Sequence, residues 1–260
     1  MPSLIRSDGI VLRTVRHGET SLILTVFMRE TGRVGLMAKG VRSKTRHGLA
    51  ACLEIFRRAQ FVYYHKPSRD LQLLREWSVL APHQRLRDDL DCLAVASAVV
   101  ELLGRCLRDE DPHVELYDEA AVVLESLDHL PASPLPFLWT FELALFRSLG
   151  FTLGLESCPL TGKPLAAAGR GPVRYRLADG AFLHNDVPLT VPHDGSISRE
   201  AFAVLAKLPT ASREFTGKLR VSPAAQSELT AFLTGYLEAH LPVRGKLRSL
   251  EALHWNKPFD

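Results

Sequence analysis

The chain has few of the features that mark a secreted or membrane-bound protein. No apolar run is long enough to cross a bilayer, and the first residues lack the hydrophobic segment of a secretion signal. The 260 residues include only four cysteines, without the paired spacing of a disulfide framework: Cys52, Cys92, Cys106 and Cys158. We therefore expect a cytoplasmic protein with reduced thiols and no membrane partner.

The short motifs of common enzymes are also missing. The sequence contains no GxSxG, HExxH or Walker-type loop, and the turn at residues 169–171 lacks the lysine and hydroxyl residue of a phosphate loop. The neighbouring acids Asp88 and Asp89, and those at residues 109–111, fall at a helix start and in a loop. Acids there favour the helix dipole or water. We expect a protein that is not an enzyme.

The composition is that of a globular protein, but its charge is unevenly distributed. Hydrophobic residues make up 46% and charged residues 23% of the chain, which excludes disorder as the general state. Residues 1–80 hold 14 Lys/Arg and 6 Asp/Glu, a net charge of +8. Residues 81–155 hold 5 and 13, a net charge of −8. This asymmetry predicts a basic module joined to an acidic one, and the basic module is where an anionic partner would be attracted.

Residues 8–80 show the alternation of apolar and polar positions that is typical of β-strands. Turns rich in glycine and proline divide the region into five predicted strands. Five strands in about eighty residues favour a small closed barrel, with a two-layer sandwich as the alternative.

Residues 82–150 change to helical periodicity and predict three packed helices. Leucines at helical spacing form the first. Asp111 followed by proline predicts the cap of the second, and Ser133 followed by proline predicts the cap of the third, which ends at Gly150.

The periodicity breaks at residues 151–195, which we interpret as loop around a short hairpin that turns at Asp179 and Gly180. The segment VPHDGSISR is part of this loop. Helices resume at residues 199–208 and 222–240, the latter with Ser222 as its cap.

The most basic stretch is residues 32–47, GRVGLMAKGVRSKTRH. Its first half predicts a strand, and its second half predicts a loop bounded by glycines. A positive loop beside a strand can hold a polyanion, whereas on charge alone a solvated surface is the simpler interpretation. The cations of this stretch are Arg33, Lys39, Arg42, Lys44 and Arg46.

A series of short segments occurs in a particular order along the predicted strands, loops and helices. They are residues 9–12 (GIVL), 19–21 (ETS), Phe27, 32–34 (GRV), 38–44 (AKGVRSK), 141–146 (FELALF), 149–151 (LGF), Cys158 and 245–249 (GKLRS). In this combination the chain resembles the bacterial recombination protein O (RecO) family along nearly its whole length.

The resemblance implies an α+β multidomain fold. Residues 1–80 would form a five-stranded OB-fold β-barrel that binds DNA, and residues 81–152 a central helical domain. Residues 153–197 would form a loop and hairpin insertion that is zinc-finger-like but degenerate. Residues 198–260 would form C-terminal helices that pack on the helical domain and end in a basic tail.

The resemblance also implies a non-catalytic mediator of DNA repair and recombination in the RecF pathway. Such proteins bind single- and double-stranded DNA, anneal complementary strands, and act on single strands coated by single-stranded-DNA-binding protein (SSB). With RecR, and RecF where it is used, they promote RecA loading. For this chain the expected partners are DNA, the C-terminal tail of SSB, RecR and indirectly RecA; we expect a monomer associated with the nucleoid.

The cysteines depart from the family pattern. Many relatives carry a four-cysteine zinc site made of two CxxC pairs, but here only Cys158 remains of the first pair and no cysteine follows it. A structural zinc site needs about four ligands in a tetrahedral array. His184 and His193 have no recognised zinc spacing, and we predict that they are solvent-exposed loop histidines. We expect no metal and no cofactor.

With the resemblance, DNA contact outweighs a simple solvated surface for the basic stretch. Its cations would contact phosphates without reading base sequence, and Arg13 would extend the patch if it lies on the same face. Residues Arg244, Lys246 and Arg248 either lengthen this track or solubilise the terminus. The alternative function is a protein-interaction adaptor whose basic barrel binds an acidic partner.

The acidic helical domain would dock the acidic, apolar-ended tail of SSB. Relatives often carry an arginine just before the FELALF-like segment, where this chain has Trp139 and Thr140. Arg147 or Arg105 could provide the missing cation, or they are simply solvated.

Aromatic side chains in the barrel are the candidates for stacking on bases. Alternation turns about half of them inward, and we expect Phe27 and Trp77 in the core. Tyr63 and Tyr64 must face opposite ways. The full candidate set is Phe27, Phe56, Phe61, Tyr63, Tyr64 and Trp77.

Overall fold

The computed structural model describes residues 3–43, 50–129, 131–167 and 171–241, together with Ser249. The chain divides into two compact units, Met1–Leu130 and Pro131–Asp260. The first two predicted helices thus belong to the same unit as the barrel strands, and the third belongs to the other unit. The predicted domain boundaries differ from this division, and as boundaries of independently folding parts they stay predictions.

Five strands form a closed barrel in the first unit, in the order β1-β2-β3-β5-β4. The strands are β1 (Ser3–His17), β2 (Ser21–Met28), β3 (Gly32–Ala38), β4 (Arg58–His65) and β5 (Leu71–Ala81). The long β1 pairs with β4 along its first half and with β2 along its second half, which lets the sheet close on itself. Strands β3 and β5 run parallel and pair only from Gly35–Leu71 to Met37–Leu73. The five predicted strands are confirmed.

The alternation in the sequence decides which side chains face the barrel interior. Inward positions of β2 and β3 are buried, whereas the positions between them are partly exposed. Tyr63 is fully buried in the core, where its hydroxyl lies 3.0 Å from Thr31 Oγ1, and the adjacent Tyr64 is exposed, as predicted. Trp77 packs against the core at its edge.

Two helices complete the first unit, α1 (Leu90–Cys106) and α2 (Val114–Asp128). Asp89 caps α1 by accepting a hydrogen bond of 2.8 Å from the backbone of Cys92. Helix α2 begins later than predicted, with His113 at its cap position, so the cap prediction at Asp111 was wrong. Phe27 is buried, as expected, but outside the barrel core cluster, with its ring 5.7 Å from that of Tyr117 on α2.

The second unit combines helices with a three-stranded sheet. The helices are α3 (Leu135–Ser148), α4 (Arg199–Lys207), α5 (Arg213–Lys218) and α6 (Pro223–His240). The strands are β6 (Val173–Arg176), β7 (Ala181–Leu183) and β8 (Gly195–Ile197), in the order β7-β6-β8. The hairpin turn at Gly180 and the Ser222 cap of α6 are confirmed. Residues 195–197 pair with β6, so their assignment to a loop was wrong, and α5 was not predicted.

Candidate nucleic-acid interface

A row of six apolar side chains runs around the outside of the closed barrel. Each is the cross-strand partner of the next, and the positions on both sides of Ile23 and of Met37 along their strands belong to the barrel core. Leu4, Val15 and Tyr64 are 52%, 40% and 38% exposed, and the other three are partly exposed. We call this row the apolar belt; in spatial order it runs Val15, Ile23, Met37, Leu73, Tyr64, Leu4.

Cations lie on one side of the apolar belt, at the turn between β1 and β2. Lys39 is exposed and follows Met37 by two residues, just beyond the end of β3. The backbone of Arg42 donates a 2.9 Å hydrogen bond to the Thr20 carbonyl, and its guanidinium lies 3.4 Å from the Gly18 carbonyl. These two contacts hold the chain after β3 against the β1–β2 turn, so Lys39 and Arg42 lie on the same side of the barrel face.

A groove of about 690 Å³ borders the other side of the apolar belt, between the barrel and α1. Four arginines line it, but two of them are neutralised: Arg105 pairs with Glu101 at 2.9 Å, and Arg33 pairs with Asp109 at 2.7 Å. The other two are Arg13 on β1 and Arg69 in the β4–β5 turn. Among the described residues, the side chains of Arg13 and Arg69 form no ion pair, but Asp70 and Glu110 line the same groove. Both arginines are therefore available to a ligand in a groove whose charges are balanced overall.

Arg33 has a structural connection that the sequence did not reveal. Its Nε donates to Asp109 Oδ1 at 2.7 Å, and its Nη1 donates to the Gly104 carbonyl. The side chain is only 22% exposed. These bonds fasten β3 to the end of α1 and the segment after it, so little of the guanidinium is left to meet a phosphate. A DNA contact by Arg33 stays a prediction that this geometry does not favour.

The remaining predicted site residues are separated in the structure. Lys44 and Arg46 in the basic loop, and Arg244, Lys246 and Arg248 in the tail, lie outside the described residues. Arg147 is exposed near the end of α3 in the second unit, whereas Arg105 belongs to the first unit. The two candidates for an SSB contact are therefore alternatives, each of which must be tested alone.

The sequence alone did not identify Arg69 or the apolar belt as parts of the site. Each strand's alternation identifies outward residues such as Met37 and Leu73, but not which of them share a level around the barrel. That level depends on pairing between residues as distant as Leu4 and Tyr64. Arg69 lies in a short turn after β4, and only the pairing of β3 with β5 brings it to the groove.

The described residues around Cys158 do not form a zinc site of the kind that the resemblance implies. Burial alone would raise the pKa of the Cys158 thiol, but hydrogen bonds from the backbone of His184 and Leu160 and from Thr161 lower it below its ordinary value. His184 is 8% exposed, so its predicted solvent exposure was wrong; its Nδ1 accepts a 3.2 Å bond from the Asp186 backbone. That bond leaves Nδ1 unavailable to a metal.

An ion pair joins the two loops in this region. Lys163 donates to Asp186 Oδ2, and so links the loop after Cys158 to the segment after β7. His193 is exposed, as predicted. The parts of the chain that the structure describes contain no group of three metal-binding side chains. One thiol and one imidazole with an occupied nitrogen do not provide four zinc ligands.

The fold and the surface define a class of protein. It has two α+β units, one of which contains a barrel with an apolar belt and with cations that form no ion pair among the described residues. Within the described ranges, no helix is both long and apolar enough to span a membrane. Residues 1–83 match the family model "Recombination protein O N terminal", and residues 87–251 match "Recombination protein O C terminal". The chain belongs to the recombination protein O family, whose members act in DNA repair and recombination.

Individual relatives resemble the chain along most of its length. It is 31% identical over 237 residues to the DNA repair protein RecO of Anaeromyxobacter sp. (strain K), covering 91% of each chain. It is 32% identical over 239 residues to that of Salinibacter ruber, covering 90% of this chain and 87% of the relative. The relative from Exiguobacterium sibiricum is 29% identical over 249 residues, 95% of each chain.

Proposed function

We propose that the chain is a non-catalytic recombination mediator that binds single- and double-stranded DNA through its barrel. The barrel has the strand number of an OB-fold, a fold whose second and third strands and whose 1–2 and 4–5 loops bind oligonucleotides. The observation that carries the proposal is the placement, at both of these loops, of cations that pair with no acid in the described part of the chain. Arg42 contacts the β1–β2 turn, and Arg69 belongs to the β4–β5 turn.

Phosphate contacts by these cations supply affinity that does not depend on base sequence. The same contacts support the annealing of complementary strands. Two DNA strands repel each other, and a protein that neutralises phosphates on both lowers the cost of bringing them together. Annealing requires no chemical step, in agreement with the lack of catalytic motifs in the sequence. In this proposal the protein acts on SSB-coated single strands, associated with the nucleoid, and with RecR promotes RecA loading.

The first test measures the salt dependence of DNA binding. Replacing Lys39 and Arg42 by alanine removes two phosphate contacts, so the log–log slope of affinity against salt should become shallower by about 1.4 to 1.8. The measurement is fluorescence anisotropy with single- and double-stranded oligonucleotides at several salt concentrations. Alanine at Lys44 and Arg46 as well should extend the effect.

The matched control removes the same charge from the second unit. Lys207 and Arg220 are both exposed, so their alanine double variant lowers the net charge equally without touching the barrel. We expect its slope to equal that of the unmodified protein. Equal slopes for both double variants would contradict a DNA site on the barrel.

The second test concerns the mediator activity. Complementary oligonucleotides coated with SSB should anneal faster in the presence of the protein, and the acceleration should decline as salt weakens the phosphate contacts. A strand-exchange dye reports the rate. If the folded protein gives no acceleration at any salt concentration, the mediator proposal fails.

The exposed apolar belt favours one alternative, a protein-interaction adaptor with an acidic partner. Competition distinguishes the two functions. An acidic peptide with the sequence of the SSB tail should displace DNA from an adaptor surface on the barrel. If the mediator binds that tail elsewhere, such as near Arg147 in the second unit, the peptide should leave DNA binding unchanged. A tail bound near Arg105 would lie in the groove that Arg13 lines and would compete with DNA there.

A further inference from the structure

A buried cation without an acidic partner lies in the sheet of the second unit. Arg174 belongs to β6, the central strand of that sheet, and is only 7% exposed. No acid among the described residues forms an ion pair with its guanidinium. Burial of a charge is costly unless the group is paired or hydrogen-bonded, so the donors of this guanidinium must be satisfied in another way.

These donors bind backbone carbonyls of the chain that follows β7. Nη1 of Arg174 donates to the Pro188 carbonyl at 3.0 Å, and Nη2 donates to the carbonyls of Val187 and, at 3.4 Å, His184. All three acceptors belong to residues 184–191, which we call the second loop. Two of the three carbonyls also accept the backbone bonds that close turns within this loop. One side chain of the central strand therefore fastens the second loop to the sheet.

The second loop in turn holds a tight loop that precedes the sheet, residues 156–165, which we call the first loop. The backbone of His184 donates to the sulfur of Cys158, which is fully buried. Lys163 donates to Asp186 Oδ2. Within the first loop, the Cys158 backbone donates to the Lys163 carbonyl at 2.9 Å. The buried guanidinium is therefore connected, through the second loop, to the first.

We propose that the Arg174 guanidinium is a metal-free clasp for these two loops. A zinc ion of the kind that the resemblance implies would join two loops by binding side chains of both. A guanidinium keeps its positive charge at every physiological pH, and its planar fork presents several donors in fixed directions. It can therefore hold several carbonyls at once without a divalent cation. Cys158 serves this clasp as a hydrogen-bond acceptor for the second loop.

This inference does not depend on DNA binding by the barrel, because Arg174 and both loops belong to the second unit. Its consequence is that removal of divalent cations should not loosen the two loops. Loss of the guanidinium should loosen them even though every other side chain is kept.

The first test replaces the guanidinium by an ammonium. Arg174→Lys keeps the positive charge, but one ammonium on a shorter side chain cannot bind the carbonyls of Val187 and Pro188 together as the fork does. Hydrogen exchange of the backbone amides of Val187 and Val191 measures the effect. We expect these amides to exchange about 10- to 100-fold faster, and the amides of α6 to stay within about twofold. Equal acceleration throughout the second unit, or none in the loops, would overturn the clasp.

The matched control is Arg176→Lys in the same strand. Arg176 pairs with Asp179 and makes no bond to either loop among the described residues, so the loop amides should exchange as in the unmodified protein. A further variant, Lys163→Met, removes only the exposed ion pair between the loops. Such pairs contribute little, so it should accelerate exchange less than Arg174→Lys does. An equal effect would assign the clasp to the ion pair instead of the guanidinium.

A last measurement uses the unmodified protein and so does not depend on whether Arg174→Lys folds. Metal analysis of the purified protein should find far less than one zinc per chain. Addition of EDTA should leave hydrogen exchange in both loops unchanged. About one zinc per chain, or faster exchange of the loops in EDTA, would show that a metal joins them and would overturn the proposal.

Discussion

Glu142 shows how one residue can make stability depend on pH. Its carboxyl is buried in α3, and burial raises its pKa to about 8. The folded protein therefore holds the proton at pH values where the unfolded chain has released it. Since the folded pKa is raised, the stability that this group contributes is fully present below its ordinary pKa of 4.5 and is lost as the pH rises towards 8.

The prediction concerns Glu142→Gln, which keeps the shape but does not titrate. Its advantage in unfolding free energy over the unmodified protein should grow between pH 5 and pH 8, by at most about 1.4 kcal/mol per pH unit. Urea unfolding at three pH values measures it. The control is Glu214→Gln, since Glu214 is exposed and its pKa is lowered, so it should show no trend in this range. Parallel curves for Glu142→Gln and the unmodified protein would show that Glu142 is ionised in the folded state.

Two arginines of the same groove differ in their partners, and a second prediction follows from this difference. Arg13→Ala should lower DNA affinity and make the salt slope shallower by about 0.7 to 0.9, because Arg13 is exposed and forms no ion pair with any described residue. Arg33→Ala should leave the slope close to that of the unmodified protein. It should instead lower the unfolding free energy by about 1 kcal/mol, since it loses bonds to Asp109 and Gly104.

Anisotropy titrations and urea unfolding on the two single variants separate these effects. A shallower slope for Arg33→Ala, equal to that of Arg13→Ala, would show that Arg33 leaves Asp109 to contact DNA.

The sequence predicted the elements with strong local signals and missed those without them. The alternation of β2 and β3, and the serine cap of α6, arise within a few residues, so they could be recognised. The short β8 and α5 carry too few residues to show a period. The sequence identifies the cations of the basic stretch but not which of them form ion pairs. Arg33 pairs with a residue 76 positions away, and no local pattern predicts such a pairing.

The chain as a whole contains two compact units, and each has its own buried core. We expect two components in calorimetric unfolding, because a chain of this kind departs from a single two-state transition. A variant in one unit should shift one component alone. Gly32→Ala is suited to the first unit: Gly32 has a φ of 74°, and a Cβ there would lie 2.4 Å from the Asp111 carbonyl oxygen.

Glu142→Gln is the corresponding variant of the second unit. At pH 8 it should raise the unfolding temperature of the calorimetric component that belongs to that unit. Gly18→Ala is the control for the glycine variant, because Gly18 also has a positive φ but a Cβ there meets no atom within 4 Å. Gly18→Ala should lower the unfolding temperature of the first unit's component less than Gly32→Ala does. A single transition that moves as a whole with every variant would show that the units unfold together.

For the molecule as a whole, the sequence predicted the division of charge but not which helices belong to the same unit as the barrel. The basic and acidic regions meet near residue 81, whereas the compact units meet at Leu130. Helix α2 belongs with the barrel because Phe27 on β2 packs against Tyr117 and Arg29, just after β2, donates to Asp118. These contacts span about ninety residues and could not be inferred from composition.

The parallel pairing of β3 with β5 has a kinetic consequence. It comprises three residue pairs, against eight each for β1 with β2 and β1 with β4. Short ladders open most often, so backbone amides there should exchange with deuterium sooner than those of the longer ladders. Opening would part Met37 from Leu73. If DNA binds the barrel as proposed, these amides should exchange more slowly in its presence.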